Sequence, residues 1–159
     1  MNIKYHPIGV IHSPFNEVKG MPIQTAGASG TRGRVELFSG YSDGLKDLDG
    51  FSHIILLYHF HRAGEASLVI TPFMDSTPRG VFATRAPRRP NPIGISVVKL
   101  VSLKSSNLTV ENIDILDGTP LLDIKPYVPD FDRHPADRIG WLENVSGKVR
   151  AQRSDRRFE

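Results

Sequence analysis

Eight short apolar runs, punctuated by glycine, proline, serine and asparagine, constrain this chain more than any other feature: they leave it sheet to build and almost no helix. The runs cover residues 8–11, 34–38, 53–60, 68–73, 80–85, 95–103, 108–116 and 121–127. Residues 145–151 read as one further strand. Spacing of this kind predicts a mainly β fold, a barrel or a sandwich. Lys104-Ser105-Ser106-Asn107 between two runs reads as a hairpin loop. In the run that follows, Leu108 and Val110 share one face while Ile113 and Ile115 fall on the other parity, which predicts a bulge near Glu111-Asn112. Helix is confined to short turns, at 42–48 with Leu45 and Leu48 inward and at 135–142 with Pro135 at the first position. Residues 16–33 are glycine-rich and small, and a loop of that length in a compact domain is usually functional or disordered.

At 159 residues and 39% apolar composition the chain is long enough for one domain with a real core. No run approaches the roughly 18 apolar residues of a membrane span, and the first residues carry no apolar secretory segment. Cysteine is absent, so disulfides, thiolate metal sites and a cysteine nucleophile are excluded. The expectation is a cytoplasmic protein without a membrane partner. A net charge of +3 permits nucleic acid as a partner without demanding it. The last 13 residues hold Lys148, Arg150, Arg153, Arg156 and Arg157 against two acids. They form either a solvated, frayed tail or a basic arm for RNA phosphates.

Two proline-stiffened segments concentrate the polar chemistry. Residues 82–96, FATRAPRRPNPIGIS, place Arg85, Arg88 and Arg89 among Pro87, Pro90 and Pro92. Proline fixes its own φ and pushes the preceding residue toward extended geometry, so arginines here lose less entropy on gripping a phosphate or carboxylate. Arg85 is expected to hold a cofactor or a neighbouring carboxylate, and Arg88 and Arg89 to reach RNA phosphates. Residues 117–132 repeat the device with Asp117, Asp123, Asp130 and Asp132 around Pro120, Pro126 and Pro129. Asp117-Gly118-Thr119-Pro120 is a turn by composition. His59 and His61 share a strand face, but spacing suggests no third ligand, so no metal site is expected.

Phe82-Ala83-Thr84-Arg85, Arg89-Pro90-Asn91-Pro92-Ile93-Gly94, and Asp117-Gly118-Thr119-Pro120 through Asp123-Ile124-Lys125-Pro126-Tyr127 resemble the TsaA-like (YaeB) family, whose characterised members are TrmO-type S-adenosylmethionine-dependent tRNA methyltransferases. The similarity extends to Pro7–Pro14 and Phe51–Ile54 and runs from about residue 5 to 143. It implies a single antiparallel β-barrel domain over 1–143 with short helical turns, followed by a basic extension over 144–159 and without the extra C-terminal domain of the longer members. It also implies a homodimer, S-adenosylmethionine as cofactor without a Rossmann fold, and tRNA as partner. The implied reaction is methylation of the N6 nitrogen of threonylcarbamoyladenosine at tRNA position 37.

Carried onto this sequence, the family's cofactor segments fall on Pro22, Ile23 and Gln24, on His61 and Arg62, on Arg85 with Ile95, and on Asp117, Gly118, Thr119 and Pro120. These are expected to converge on one pocket. Arg88, Arg89 and Lys125 are the expected RNA contacts. The nitrogen must lose a proton around the moment of transfer, and Asp117 and Asp123 are candidates to accept it. Two other readings of the same residues are a barrel that binds RNA or an adenine nucleotide without catalysis, and a small-molecule methyltransferase.

Overall fold

The computed structural model describes residues 1–159, the side chain of Ser146 excepted. Eight strands form: β1 Gly9–His12, β2 Arg32–Leu37, β3 His53–His59, β4 Val69–Ile70, β5 Arg79–Gly80, β6 Ile93–Lys104, β7 Asn107–Glu111 and β8 Thr119–Pro126. Six of them close an antiparallel barrel in the order β1-β2-β7-β6-β3-β8, with β8 returning to β1. β4 and β5 pair separately as a small ribbon.

The alternation of each strand aims one face inward. Ile11, Val35, Ile54, Leu56, Val98, Leu108, Val110 and Leu121 are fully buried and fill the barrel. Each such side chain contributes roughly 1.5–3 kcal/mol when taken out of water. The Lys104–Asn107 pair closes the β6–β7 hairpin, and Ser105 takes a φ of 50°, as a tight two-residue turn requires. Leu45 and Leu48 are buried under the barrel from two short 3-10 turns.

Four expectations change. Near Glu111-Asn112 there is no bulge: β7 ends at Glu111, Asn112 adopts a φ of 67°, and the chain leaves the ladder. Ile113 and Ile115 are therefore buried off the end of the strand rather than on its other face. The register shifts occur instead at Leu57/Tyr58 and Leu100/Ser102. Of the strand expected over 80–85 only Gly80 lies in a ladder, at the end of β5; Val81–Ala83 form a 3-10 turn instead. The turn expected at 135–142 appears as a helical turn at Pro129–Asp132 and a 3-10 turn at Gly140–Asn144. Residues 145–151 form no strand: Ser146–Lys148 are a 3-10 turn, and the single bridge of the C-terminal segment joins Pro22 to Arg153.

Candidate functional site at the polar mouth of the barrel

Inward alternation continues to the end of the barrel where β3 leaves and β6 enters, but the residues it buries there become polar or small: Tyr58, Gly94, Ser96 and Thr119. That end opens into a cavity of about 770 Å³. Its far wall is built by the 3-10 turn at Val81–Ala83, the arginine–proline loop, the long loop at 21–26 and the C-terminal segment. The lining is mostly apolar with a few convergent polar groups, the usual make-up of a small-molecule site.

Gly94 makes the mouth possible. A Cβ there would collide with the rings of Tyr58 and Phe60, which pack edge to face at 5.4 Å. With only hydrogen on Gly94, Tyr58 lies flat against β6 and its hydroxyl reaches Ser96 Oγ at 3.0 Å. Ser96 Oγ in turn donates to Asp114 Oδ1 at 2.6 Å. A carboxylate can only accept, so the chain runs from the Tyr58 hydroxyl through Ser96 to Asp114. Burial pushes the Asp114 carboxyl up to about 6, against the Ser96 bond, its own backbone amide and the positive field of Arg85. Burial, then the charge of Asp114, also raises the Tyr58 phenol above its ordinary range. His61, which lies 3.3 Å from the Thr119 hydroxyl, is held below the usual imidazole value by burial and by the charges of Arg62 and His59. It is neutral at pH 7.

Of the residues expected at the pocket, Pro22, Ile23, Gln24, His61, Arg62, Arg85, Ile95 and Thr119 line this one cavity. Arg85 donates to Gln24 Oε1 at 3.2 Å and projects its charge toward Asp114 without a direct ion pair. Asp117, Gly118 and Pro120 do not line it. The Asp117 amide is given to Phe15 O and the Gly118 amide to Ile11 O, while the Asp117 carboxylate accepts from the Ser13 amide at 3.0 Å and lies 3.5 Å from His12 Nδ1. That carboxylate braces the end of β1. Asp123 is paired with Lys125 at 2.8 Å and caps the amide of Ile124. The acid that does face the cavity is Asp114.

Arg89 also lines the cavity, but its guanidinium donates to the carbonyls of Val81, Thr84 and Ala86 and stacks over Phe82. It holds its own loop in shape. Arg88 donates through Nε to Glu65 O.

The C-terminal segment is a docked wall rather than a frayed tail. Ser154 exchanges backbone hydrogen bonds with Gly20 and Met21, and its hydroxyl bonds Val18 O. Phe158 is 4% exposed and packs with Ile70, Val81 and Ala86, its ring edge to face with Phe73 at 4.9 Å. Arg157 bonds Asp155 and the Pro72 carbonyl. Trp141 donates to Ala83 O at 2.8 Å and takes Arg79 over its ring. Among the described residues no cluster of three or more histidines and acids is placed to hold a metal ion. Among the described residues no helix is long and apolar enough to cross a membrane.

The family model for the tRNA-methyltransferase O N-terminal domain matches residues 10–133. A probable S-adenosyl-L-methionine-binding protein of Pyrococcus abyssi is 58% identical over 156 residues, which cover 98% of this chain and 85% of that protein. The human tRNA (adenine(37)-N6)-methyltransferase is 36% identical over 138 residues, which cover 82% of this chain but 31% of that enzyme. Among solved structures, TrmO from Pseudomonas aeruginosa superposes with a TM-score of 0.75 at 41% identity, covering 89% of this chain and 63% of that one.

Proposed function

The chain belongs to the tRNA-methyltransferase O N-terminal-domain family, and we propose that it binds S-adenosylmethionine in the barrel-mouth cavity and methylates the N6 nitrogen of threonylcarbamoyladenosine at tRNA position 37. The observation that carries this reading is the meeting of Gln24, Arg85, Asp114 and Thr119 in a mostly apolar cavity of about 770 Å³. The donor set suits the cofactor. Arg85 and Gln24 offer planar donors to its carboxylate, Thr119 offers a hydroxyl, and Phe60, Phe82 and Trp141 offer aromatic faces to its adenine and its cationic sulfur. When bound, S-adenosylmethionine supplies an already activated methyl group, so the protein's part is to bind, to orient and to exclude water.

The docked C-terminal segment and the loop at 21–26 exclude water, and the Tyr58–Ser96–Asp114 chain fixes the one carboxylate that faces the reacting end. Arg88 and Lys125 are the cations we assign to tRNA phosphates; Arg89 is spent on its own loop. Binding to tRNA that did not weaken with added salt would remove that assignment.

Calorimetric titration and nucleoside mass spectrometry test the reading together. The protein is expected to bind S-adenosylmethionine well ahead of adenosine, and labelled methyl is expected in threonylcarbamoyladenosine of tRNA that lacked it. Arg85→Ala should weaken cofactor binding by about 1–3 kcal/mol, the worth of a hydrogen bond to a charged group. Unchanged affinity in the folded variant removes Arg85 from the site. The name carried by the Pyrococcus relative favours one second reading, cofactor binding without methyl transfer to tRNA. Tight binding with no labelled nucleoside would establish it.

A homodimer is part of the same proposal. On the outer face of β3 and β6 the pairs Ile55–Val97 and Leu57–Ile95 set four apolar side chains side by side, and Ile93 and Ile95 are 39% and 48% exposed. This patch runs up to the cavity mouth, where Phe82 is 74% exposed. A two-fold contact would bury it and bring the two pockets near the interface. Light scattering should give twice the 17.7 kDa of one chain at micromolar concentration, and a monomeric mass would refute the dimer.

A further inference from the structure

We propose that Asp114 is the catalytic base, taking the N6 proton of the substrate nucleoside on a carboxylate oxygen, with Ser96 and Tyr58 as its positioning residues. This rests on the methyltransferase reading above. The N6 nitrogen carries one hydrogen and is flattened by its carbamoyl substituent, so its lone pair is weakly nucleophilic until that hydrogen leaves. In the step, the nitrogen pair forms the new N–CH3 bond, the S–CH3 bonding pair stays on sulfur as a neutral thioether, and the N6 proton passes to Asp114.

Three observations converge on this residue. Among the described residues, Asp114 is the one carboxylate that lines the cavity. Its Oδ1 is anchored by Ser96 at 2.6 Å and, through Ser96, by the buried Tyr58 hydroxyl. Among the described residues no other side chain donates to it. It is thus a carboxylate held in place by one hydroxyl and its own backbone amide, with its remaining lone pairs free for the cavity. The charged and titratable groups that face it are Tyr58 from β3 and Arg85 from the arginine–proline loop. Tyr58 stays neutral at working pH, so the ionisation that matters is that of Asp114 itself. A desolvated carboxylate whose affinity for a proton is raised is a better base than a solvated one and is still ionised at pH 7. His61 is the competing acceptor in the cavity: burial, then the charge of Arg62, lowers its affinity for a proton, and because the Thr119 hydroxyl donates to Leu116 O, His61 gives Nδ1–H to Thr119 and has only Nε2 left to accept.

The decisive comparison is Asp114→Asn, which keeps size and the acceptor for Ser96, against His61→Gln. Cofactor affinity by calorimetry and single-turnover methylation of tRNA are measured on wild type and both variants. For Asp114→Asn the expectation is cofactor affinity within about threefold of wild type, with a methylation rate lower by about 10²–10⁴, the usual share of a general base. The wild-type rate should rise tenfold per pH unit and level off above about pH 6, and the variant should lose that rise. In the free protein, the carboxyl carbon of Asp114 followed by NMR should titrate near the same pH. An Asp114→Asn rate within tenfold of wild type overturns the assignment. So does a loss of cofactor affinity that accounts for the whole effect, or a pH dependence abolished by His61→Gln instead. A wild-type protein that binds the cofactor but never methylates tRNA sinks the parent reading and the base with it; a methylating wild type with an unimpaired Asn variant sinks the base alone.

Discussion

Phe158→Ala will release the C-terminal segment and open the cavity while the barrel stays folded. Phe158 is the one large apolar side chain in the last ten residues, and it is buried among Ile70, Val81, Ala86 and Phe73. Cutting a buried phenylalanine to alanine costs about 3–5 kcal/mol. That cost falls on a segment held otherwise by backbone bonds at Gly20, Met21 and Gly64 and by partly exposed arginines. The barrel's own cluster, from Ile11 to Leu121, does not include Phe158. The loss is therefore a local opening and not global unfolding. At about 1.4 kcal/mol per factor of ten, the open population should rise by roughly 10²–10⁴. Trypsin is the direct probe, because Arg153, Arg156 and Arg157 lie in this segment and cleavage needs a freely extended backbone, whereas the segment's backbone is bonded at Gly20, Met21 and Gly64. Cleavage at these arginines should be far faster in the variant, with the thermal transition of the barrel little changed. Cofactor affinity should drop as well, since Ser154 and Phe158 line the cavity. Equal cleavage rates in the two proteins would show that Phe158 does not hold the segment down.

The barrel was legible because its information is local. A strand with one face inward writes period-two alternation into the chain, and β1, β2, β3, β6 and β8 fall where that alternation lies. The C-terminal segment was not legible for the opposite reason. Its hold on the fold is one phenylalanine, a serine and an arginine that bond backbone carbonyls, and a set of backbone bonds, and bonds to backbone carry no signature in the sequence. Arg89 shows the same limit: its acceptors are three carbonyls, invisible in the sequence, so an arginine that shapes a loop looks like one that awaits a phosphate. The proline-stiffened loop does bring Arg85 to Gln24 at the cavity, a meeting that its arginine–proline composition foreshadows. Asp114 was hidden by its neighbours. Between Ile113 and Ile115 it passes for the solvent-facing position of a strand, whereas the strand has already ended at Glu111. One signal was present: Asp114 keeps the parity of Leu108 and Val110, the inward one. An acid on the core parity of an apolar run needs either a partner or a task.

Asp114 also sets the second large effect, on stability, and its sign is fixed by the direction of the shift. The folded protein holds this carboxyl at about 6, against 3.8 for an ordinary aspartate. Below pH 3.8 the group is protonated in both states and costs nothing. As pH rises from there to about 6 the unfolded chain releases the proton first, so unfolding is favoured progressively and stability falls. Above about pH 6 the full penalty is in place, and a shift of some two units corresponds to about 3 kcal/mol. Asp114→Asn has no proton to lose. Denaturant unfolding at pH 4, 5, 6 and 7 should show wild type losing this increment relative to the variant across the window and running parallel to it above. Curves that stay parallel from pH 4 to 7 would mean that the carboxyl is not desolvated. About 3 kcal/mol is a large fraction of what holds a domain of this size together. No packing need explains an acid at this position, where Ile113 and Ile115 on either side are buried without one. The burial that makes Asp114 costly in the folded state is the same burial that makes its carboxylate a strong base. Stability gained by the Asn variant and methylation lost by it are therefore two readings of one desolvated group, and they should move together with pH.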